Sequence, residues 1–398
     1  MELKKYKLGD IAKIEISGVD KKSVDGETPV RLCNFVDVYR NWAITQKLSE
    51  NFMIASAKET EIAKCSIHKG KVAITKDSET RDDIGIPAYI ADDFDNVLLG
   101  YHCALITPND DVLDGKYLNA FMHTRYIQKY FENNASGSGQ RYTLSNETIF
   151  QIPILLPSLE VQKAIGNLLS NIDRKIELNR QINDNLEKMA KQLYDYWFVQ
   201  FDFPNENGRP YKSSGGAMVW NEKLKREIPK EWDNCTLEYY LIIKNGRDHK
   251  HLGNGIYPVY GSGGEIRKVD SFIYSGESIL MPRKGSLNNI MYVNDAFWSV
   301  DTMFYSEMKQ PHCAKYVFYS IKDIDFTRWD SGTGVPSMTS STLYSILLVK
   351  PDADSLAKFD EIITPLFLMI KKNEMQIVEL TKPVSYTHLR AHETCADL

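Results

Sequence analysis

The apolar positions of this chain fall into one pattern that is written twice. Ile165, Leu169, Ile172, Ile176, Asn179, Asn183, Leu186, Ala190, Leu193 and Trp197 step alternately by four and three residues. Phe359, Ile363, Leu366, Ile370, Asn373, Ile377 and Leu380 take the same steps 194 positions later. A period of about 3.5 residues keeps one stripe of a helix against a partner helix, which predicts two long paired helices over 158–199 and 353–382. Asn179 and Asn373 interrupt the stripe at equivalent places, and a polar residue in an apolar seam costs stability while fixing register. Ser158 is placed to cap the first helix, with Glu160 in its first turn. Pro365 sits inside the second seam, so that helix is expected either to begin regularly with Thr364 as its cap or to kink there.

Each seam follows a stretch that reads as a mixed α/β head. In residues 1–157, VRLCNFVDV (30–38), KVAIT (71–75) and LLGYHCALITP (98–108) are strand-like, and YLNAFMHTRYIQKYFENNAS (117–136) has helical spacing. A glycine turn SGSG (136–139) and the short strand IPILLP (152–157) follow. Residues 234–352 repeat this order. KLGDIAKIEIS (7–17) answers to TLEYYLIIKNG (236–246), and KGKVAIT (69–75) to SGESILM (275–281). A weaker helix, KYVFYSIKDIDFTRW (315–329), then SGTG (331–334) and SILLVKP (345–351), complete the copy. The expected class is α+β, with two pseudo-repeated α/β domains separated by long coiled-coil helices. Between the copies, Trp197, Phe198, Phe201 and Phe203 are too apolar for a bare linker and are expected to pack on a head or helix end.

Composition narrows the function. At 398 residues the chain exceeds one ordinary core, and 43% hydrophobic with 25% charged residues is globular usage. The apolar runs are far too short to span a bilayer, and the N-terminus has no apolar signal region, so a cytoplasmic protein is expected. Six cysteines stand far apart, as small buried residues of a reducing compartment do. A net charge of −5 disfavours unselective polyanion binding while leaving local basic patches open. The last residues, 383–398, break the heptad. VSYTHLRAHET within them resembles a translated sequencing-library adapter, so they are expected to be non-native, with the second helix cut short.

No catalytic constellation stands out. YGSGGEI (260–266) is neither a dinucleotide fingerprint nor a phosphate loop and reads as a turn. His249 and His251 lie in a polar loop without a ligand set, and His68, His102 and His123 are isolated, which suits core or surface histidines. No metal site and no catalytic residue is expected. What remains are polar, basic, glycine-bearing loops in matching places. Gln140, Arg141 and Tyr142 follow SGSG, and Gln and Arg suit bidentate contacts with adenine and guanine edges. Lys69, Lys76 and Arg81 join them in the first head. Arg283, Lys284, Arg328 and Thr333 are the candidates in the second. Any one of them, taken singly, reads more simply as a solvated surface group.

Taken together the chain resembles the specificity subunit of type I restriction–modification systems. The resemblance is sharpest in LPSLEVQKAIGNLLSNIDRKI (156–176), LYDYWFVQFDF (193–203), GRPYKSSGGAMVW (208–220) and REIPKEW (226–232). It implies a target-recognition domain over 1–157, a spacer helix over 158–199, a connector over 200–233, a second target-recognition domain over 234–352 and an antiparallel spacer helix over 353–382. It also implies double-stranded DNA as ligand, each domain reading half of a split target. Methyltransferase subunits would bring S-adenosylmethionine, and a motor-nuclease subunit would bring ATP and Mg2+ chemistry, with no cofactor in this chain. A helix of about 40 residues is roughly 60 Å long, long enough to set a gap between half-sites. The competing reading is a coiled-coil adaptor whose heads bind proteins.

Overall fold

The computed structural model describes residues 3–20, 22–138, 141–329 and 336–395, and side chains as far as Thr381 apart from that of residue 138. The chain packs as two compact units. One runs to Gln181 and is taken up again at Asn373, and the other is Ile182–Lys372. Both divisions fall inside the long helices, Leu159–Tyr194 and Ala353–Cys395. No helix among the described residues is long and apolar enough to cross a membrane.

The first unit is built on a five-stranded sheet ordered Ala12–Ile16, Cys103–Pro108, Val72–Thr75, Pro87–Ile90, Ala43–Ile44. Val72–Thr75 is apolar at nearly every position because both its faces are covered. Val72 and Ile74 pack with Leu118, Phe131 and Ile154, while Ala73 packs with Cys33, Val38 and Ile90. In the second unit a six-stranded sheet is ordered Leu241–Asn245, Met303–Met308, Tyr274–Pro282, Met291–Ser299, Asn254–Gly261, Gly264–Val269. YGSGGEI closes the last two strands as a hairpin. The connector aromatics Trp197, Phe198, Phe201 and Phe203 are all buried, with Trp232, Tyr316 and Phe359, in this unit's largest core.

The repeat holds down to single hydrogen bonds. Leu8 N donates to Ile152 O at 2.9 Å, and Leu237 N donates to Ile346 O at 2.8 Å. The expected strands 7–17 and 236–246 are each interrupted in the same way, by a helical turn at Leu8–Ile11 and by another at Leu237–Tyr239. The strand match is shifted by one residue from that expected. Lys76 N donates to His102 O as Arg283 N does to Thr302 O, which pairs Thr75 with Pro282 rather than with Met281.

Other expectations needed correction. The run 30–38 is the strand Thr28–Cys33 followed by the helix Phe35–Arg40. Asn34 N donates to the Asp37 carboxylate at 2.7 Å, a helix-start contact that overrides the apolar alternation. The run 98–108 breaks at a turn in which His102 takes φ +73°. The helix 117–136 is two helices, Gly115–Met122 and Arg125–Asn134, because Thr124 Oγ1 donates back to Phe121 O and opens a new first turn. The region 315–329 divides likewise into Ala314–Lys322 and a short turn Phe326–Trp329. SGSG is not simply a turn, since Ser136–Ser138 pairs with Arg141–Thr143.

The seam residues of the first helix form its covered stripe, with Ile176, Asn179, Asn183, Leu186, Ala190 and Trp197 buried and Ile172 and Leu193 half-buried. In the second, Phe359 and Ile363 are buried, and Leu366, Ile370, Asn373, Ile377 and Leu380 are half-buried. Within the second unit Asn183 Nδ2 donates to Ile370 O at 3.3 Å, while Trp197 packs on Phe359 at 5.7 Å, so the helices run antiparallel. Within the first unit Asn179 Nδ2 donates to Gln376 Oε1 at 3.2 Å, so its partner across the seam is a glutamine three residues beyond Asn373. Thr364 is not the start of the second helix. That role falls to Asp352, whose carboxylate accepts from Ser355 N at 2.8 Å, and the helix passes through Pro365. Burial of Phe359 and Ile363 on the flanking turns outweighs the amide hydrogen that the proline lacks. The backbone helix also continues past Lys382 to Cys395, beyond the expected end of the heptad.

Candidate nucleic-acid interface

In the first unit a three-stranded sheet gathers residues far apart in sequence. Its order is Ser136–Ser138, Arg141–Thr143, Asp77–Ser78. Gly137 sits at φ +142°, where a Cβ would meet the carbonyl of Arg141 at 2.1 Å, so only glycine permits this close pairing. Lys76 O accepts from Leu144 N at 2.9 Å, which locks the hairpin to the end of the central strand.

Asp77 is the hub. Thr143 Oγ1 donates to its Oδ1. His102 Nδ1 lies 2.5 Å and Arg141 Nη2 3.3 Å from its Oδ2. Arg141 Nη2 also lies 2.6 Å from His102 Nδ1. That nitrogen either donates to the carboxylate or accepts from the guanidinium, never both at once. Burial pushes the Asp77 carboxyl up, but the hydrogen bonds from Thr143 and His102 and the charge of Arg141 outweigh it and hold the group below the ordinary range. Beside this hub Arg81 lies 5.1 Å over the Tyr142 ring, within cation–π range.

The structure therefore brings Lys76, Arg81, Arg141 and Tyr142 together. Gln140 lies outside the described residues. Lys69 is elsewhere, at the opposite end of the strand Val72–Thr75. There it lines a groove of about 710 Å³ with Arg40, Lys47, Lys116 and Arg174 of the same unit. Asp173 in that groove is pushed up to about 6, mainly by burial and further by Glu177.

The second unit repeats the frame with different groups. Arg283 N and Lys284 N both donate to Thr302 O, at 2.9 and 3.1 Å, and Met338 N donates to Arg283 O at 2.9 Å. Lys284 forms a bridge with Ser337, and Gly285 N donates to Pro336 O at 3.0 Å. Asn289 Nδ2 reaches Ser262 O at 2.8 Å, which draws in the glycine hairpin. Asn288 reaches Asp325, whose carboxylate pairs with Arg328 at 3.2 Å. Arg283, Lys284 and Arg328 thus belong to one loop cluster, and Thr333 lies outside the described residues. Where the first unit has Asp77, the second has Lys284.

Sequence reasoning missed Asp77 and His102 in the first cluster, and Ser262, Asn288, Asn289 and Thr302 in the second. His102 was expected to be an isolated histidine, but its contact with Asp77 spans 25 residues of sequence. The only local signal was position, since Asp77 follows a buried strand directly. Among the described residues no group of His, Cys, Asp and Glu has metal-holding geometry. His249 Nδ1 instead accepts from Arg267 Nε at 3.1 Å.

Comparison with known proteins agrees with this architecture. Residues 1–188 match the type I restriction modification DNA specificity domain. The type I restriction enzyme MjaIX specificity subunit of Methanocaldococcus jannaschii is 25% identical over 362 residues, covering 81% of this chain and 78% of that protein. The HindI specificity subunit of Haemophilus influenzae is 31% identical over 141 residues, 35% of this chain and 30% of that one. The fold is shared with the S subunit of the type I system of M. genitalium, with a TM-score of 0.65 and 15% identity over 97% of this chain and 95% of that structure. A specificity-domain match over residues 1–188, a relative aligned across four fifths of the chain and a common fold agree: the chain is similar to the specificity subunits of type I restriction–modification systems.

Proposed function

We propose that the chain is the DNA-reading, non-catalytic subunit of its complex, with each recognition domain reading one half of a bipartite target. The observation that carries this reading is the frame built twice with different side chains. Lys76 and Arg283 end matching strands and make matching hydrogen bonds, while the neighbouring Asp77 and Lys284 carry opposite charge. A common support with divergent polar groups suits two readers of different base sequences. The long helices specify the gap between half-sites. Excising one heptad from each removes about 10 Å at 1.5 Å per residue. Sequencing of methylated bases in cells expressing the whole system should then show both half-sites retained and the gap shortened by about three base pairs. An unchanged gap refutes this role for the helices.

The helices also dock the methyltransferase subunits, which bring S-adenosylmethionine. The motor-nuclease subunit brings ATP and Mg2+ chemistry, and the complex works in the cytoplasm. The net charge of −5 fits this division, with basic partners sharing phosphate neutralisation. Support for docking comes from a shallow groove in the second unit where Met189, Tyr196 and Ile362 are exposed beside Leu366. Apolar side chains left exposed in one patch favour a protein partner. Met189→Glu combined with Ile362→Glu should weaken binding of the methyltransferase subunits by about 2 kcal/mol or more in calorimetric titration, with the melting temperature unchanged. Full affinity would put the docking surface elsewhere.

A further inference from the structure

Resting on the half-site reading above, we infer that Arg141 reads a guanine in the first half-site and that Asp77 is the positioning residue that aims it. Asp77 is itself shielded, with 13% of its side chain exposed, whereas 59% of Arg141 is exposed. The carboxylate is held from three directions, by Thr143, His102 and the guanidinium. Its own orientation is therefore set before any ligand arrives. Arg141 is held through Nη2 alone among the described contacts, which leaves the remaining N–H groups of a rigid planar fork for a ligand.

The chemistry of that fork selects the ligand. Guanine presents two acceptors, O6 and N7, side by side in the major groove, and a guanidinium donates to both. Adenine presents N7 beside the N6 amino donor, so one guanidinium N–H would face another donor. A free arginine must order several side-chain torsions to make this contact. One already tethered to a half-buried carboxylate has lost that freedom beforehand, so discrimination rises with the tether. His102 contributes by holding the same carboxylate oxygen that Arg141 contacts, in a turn whose φ of +73° is held by its carbonyl accepting from Lys76 N. The position in the second unit that matches Asp77 is Lys284, a cation that cannot tether an arginine, so this particular tether belongs to one half of the target.

The test uses the whole complex. Wild type, Arg141→Lys, Asp77→Asn and Asp77→Glu are expressed with the methyltransferase subunits, and methylated sites are mapped across a genome. The expected result is one G·C position in one half-site at which Arg141→Lys and Asp77→Asn lose preference on the order of ten- to hundredfold. Asp77→Glu, which keeps a carboxylate, should recover part of it, and the other half-site should stay as strict as before. A motif unchanged by Asp77→Asn or Arg141→Lys overturns the inference, as does relaxation at an A·T position. Should a variant lose methylation at every site, the wild-type complex decides the matter on synthetic duplexes. Replacing each guanine of the half-site in turn by 7-deazaguanine removes N7, and one such replacement should weaken binding about tenfold. If none does while the split motif persists, the guanine inference alone fails. If wild type shows no split motif, the half-site reading beneath it fails.

Discussion

Replacing Lys315 with alanine should cost the second unit about 3–5 kcal/mol, because it removes the ammonium from between two partly buried carboxylates. Only 5% of the Lys315 side chain is exposed. Its Nζ lies 2.7 Å from Glu277 Oε1 on the sheet and 2.8 Å from Asp360 Oδ1 on the second long helix. Tyr292 OH donates to the same Glu277 oxygen at 2.5 Å, and His312 Nδ1 lies 2.9 Å from the other Asp360 oxygen. Without the ammonium, two carboxylates would face each other with their charge uncompensated. Urea unfolding checks this, and a loss below about 1 kcal/mol, the range of surface ion pairs, would show that the network is dispensable. Acid should act in the same direction. Burial pushes the Asp360 carboxyl up, but the hydrogen bonds from Lys315 and His312 prevail and hold it below the usual carboxylate range. Its contribution is thus complete above the ordinary carboxylate pKa and is lost as pH falls through the depressed folded value.

Phe359→Ala should be comparably damaging, at about 3–5 kcal/mol, for a different reason. Phe359 is fully buried where the second helix begins, edge-on to Phe198 at 4.8 Å and against Trp197 at 5.7 Å. Truncation leaves a cavity walled by large rings that are themselves fixed, and such a wall does not collapse to fill it. Phe359→Leu should cost much less because it keeps most of the volume. Urea unfolding of both variants is the measurement, and near-equal losses would mean that the rings relax.

These two sites illustrate how much was legible beforehand. Phe359 could be read as a seam residue from its spacing alone, since a 3.5-residue stripe repeats whatever lies opposite. Trp197 and Phe198 were legible as buried from their density of aromatic surface. Lys315 was not legible in the same way. Its place in the helix Ala314–Lys322 is local, but its two carboxylates come 38 and 45 residues away. Local pattern failed also where one capping contact outweighed an alternation, as at Asn34 and Asp37, and where packing carried a helix through Pro365.

The same division runs through the candidate interface. Arg141 and Tyr142 stand out in the sequence because glycine-flanked polar loops recur at matching points of the two copies. Lys69 looked like their companion, yet it sits at the far end of the strand.

The duplication and the two paired helices are legible in the sequence alone, because they follow from periodicity and from runs of residues next to one another. Only the tertiary structure decided that Asp77, His102, Arg141 and Thr143 meet, and that Lys284 stands where Asp77 would. A sheet brings together strand ends separated by tens of residues, and hydrogen-bond geometry, unlike apolar spacing, leaves no periodic trace along the chain.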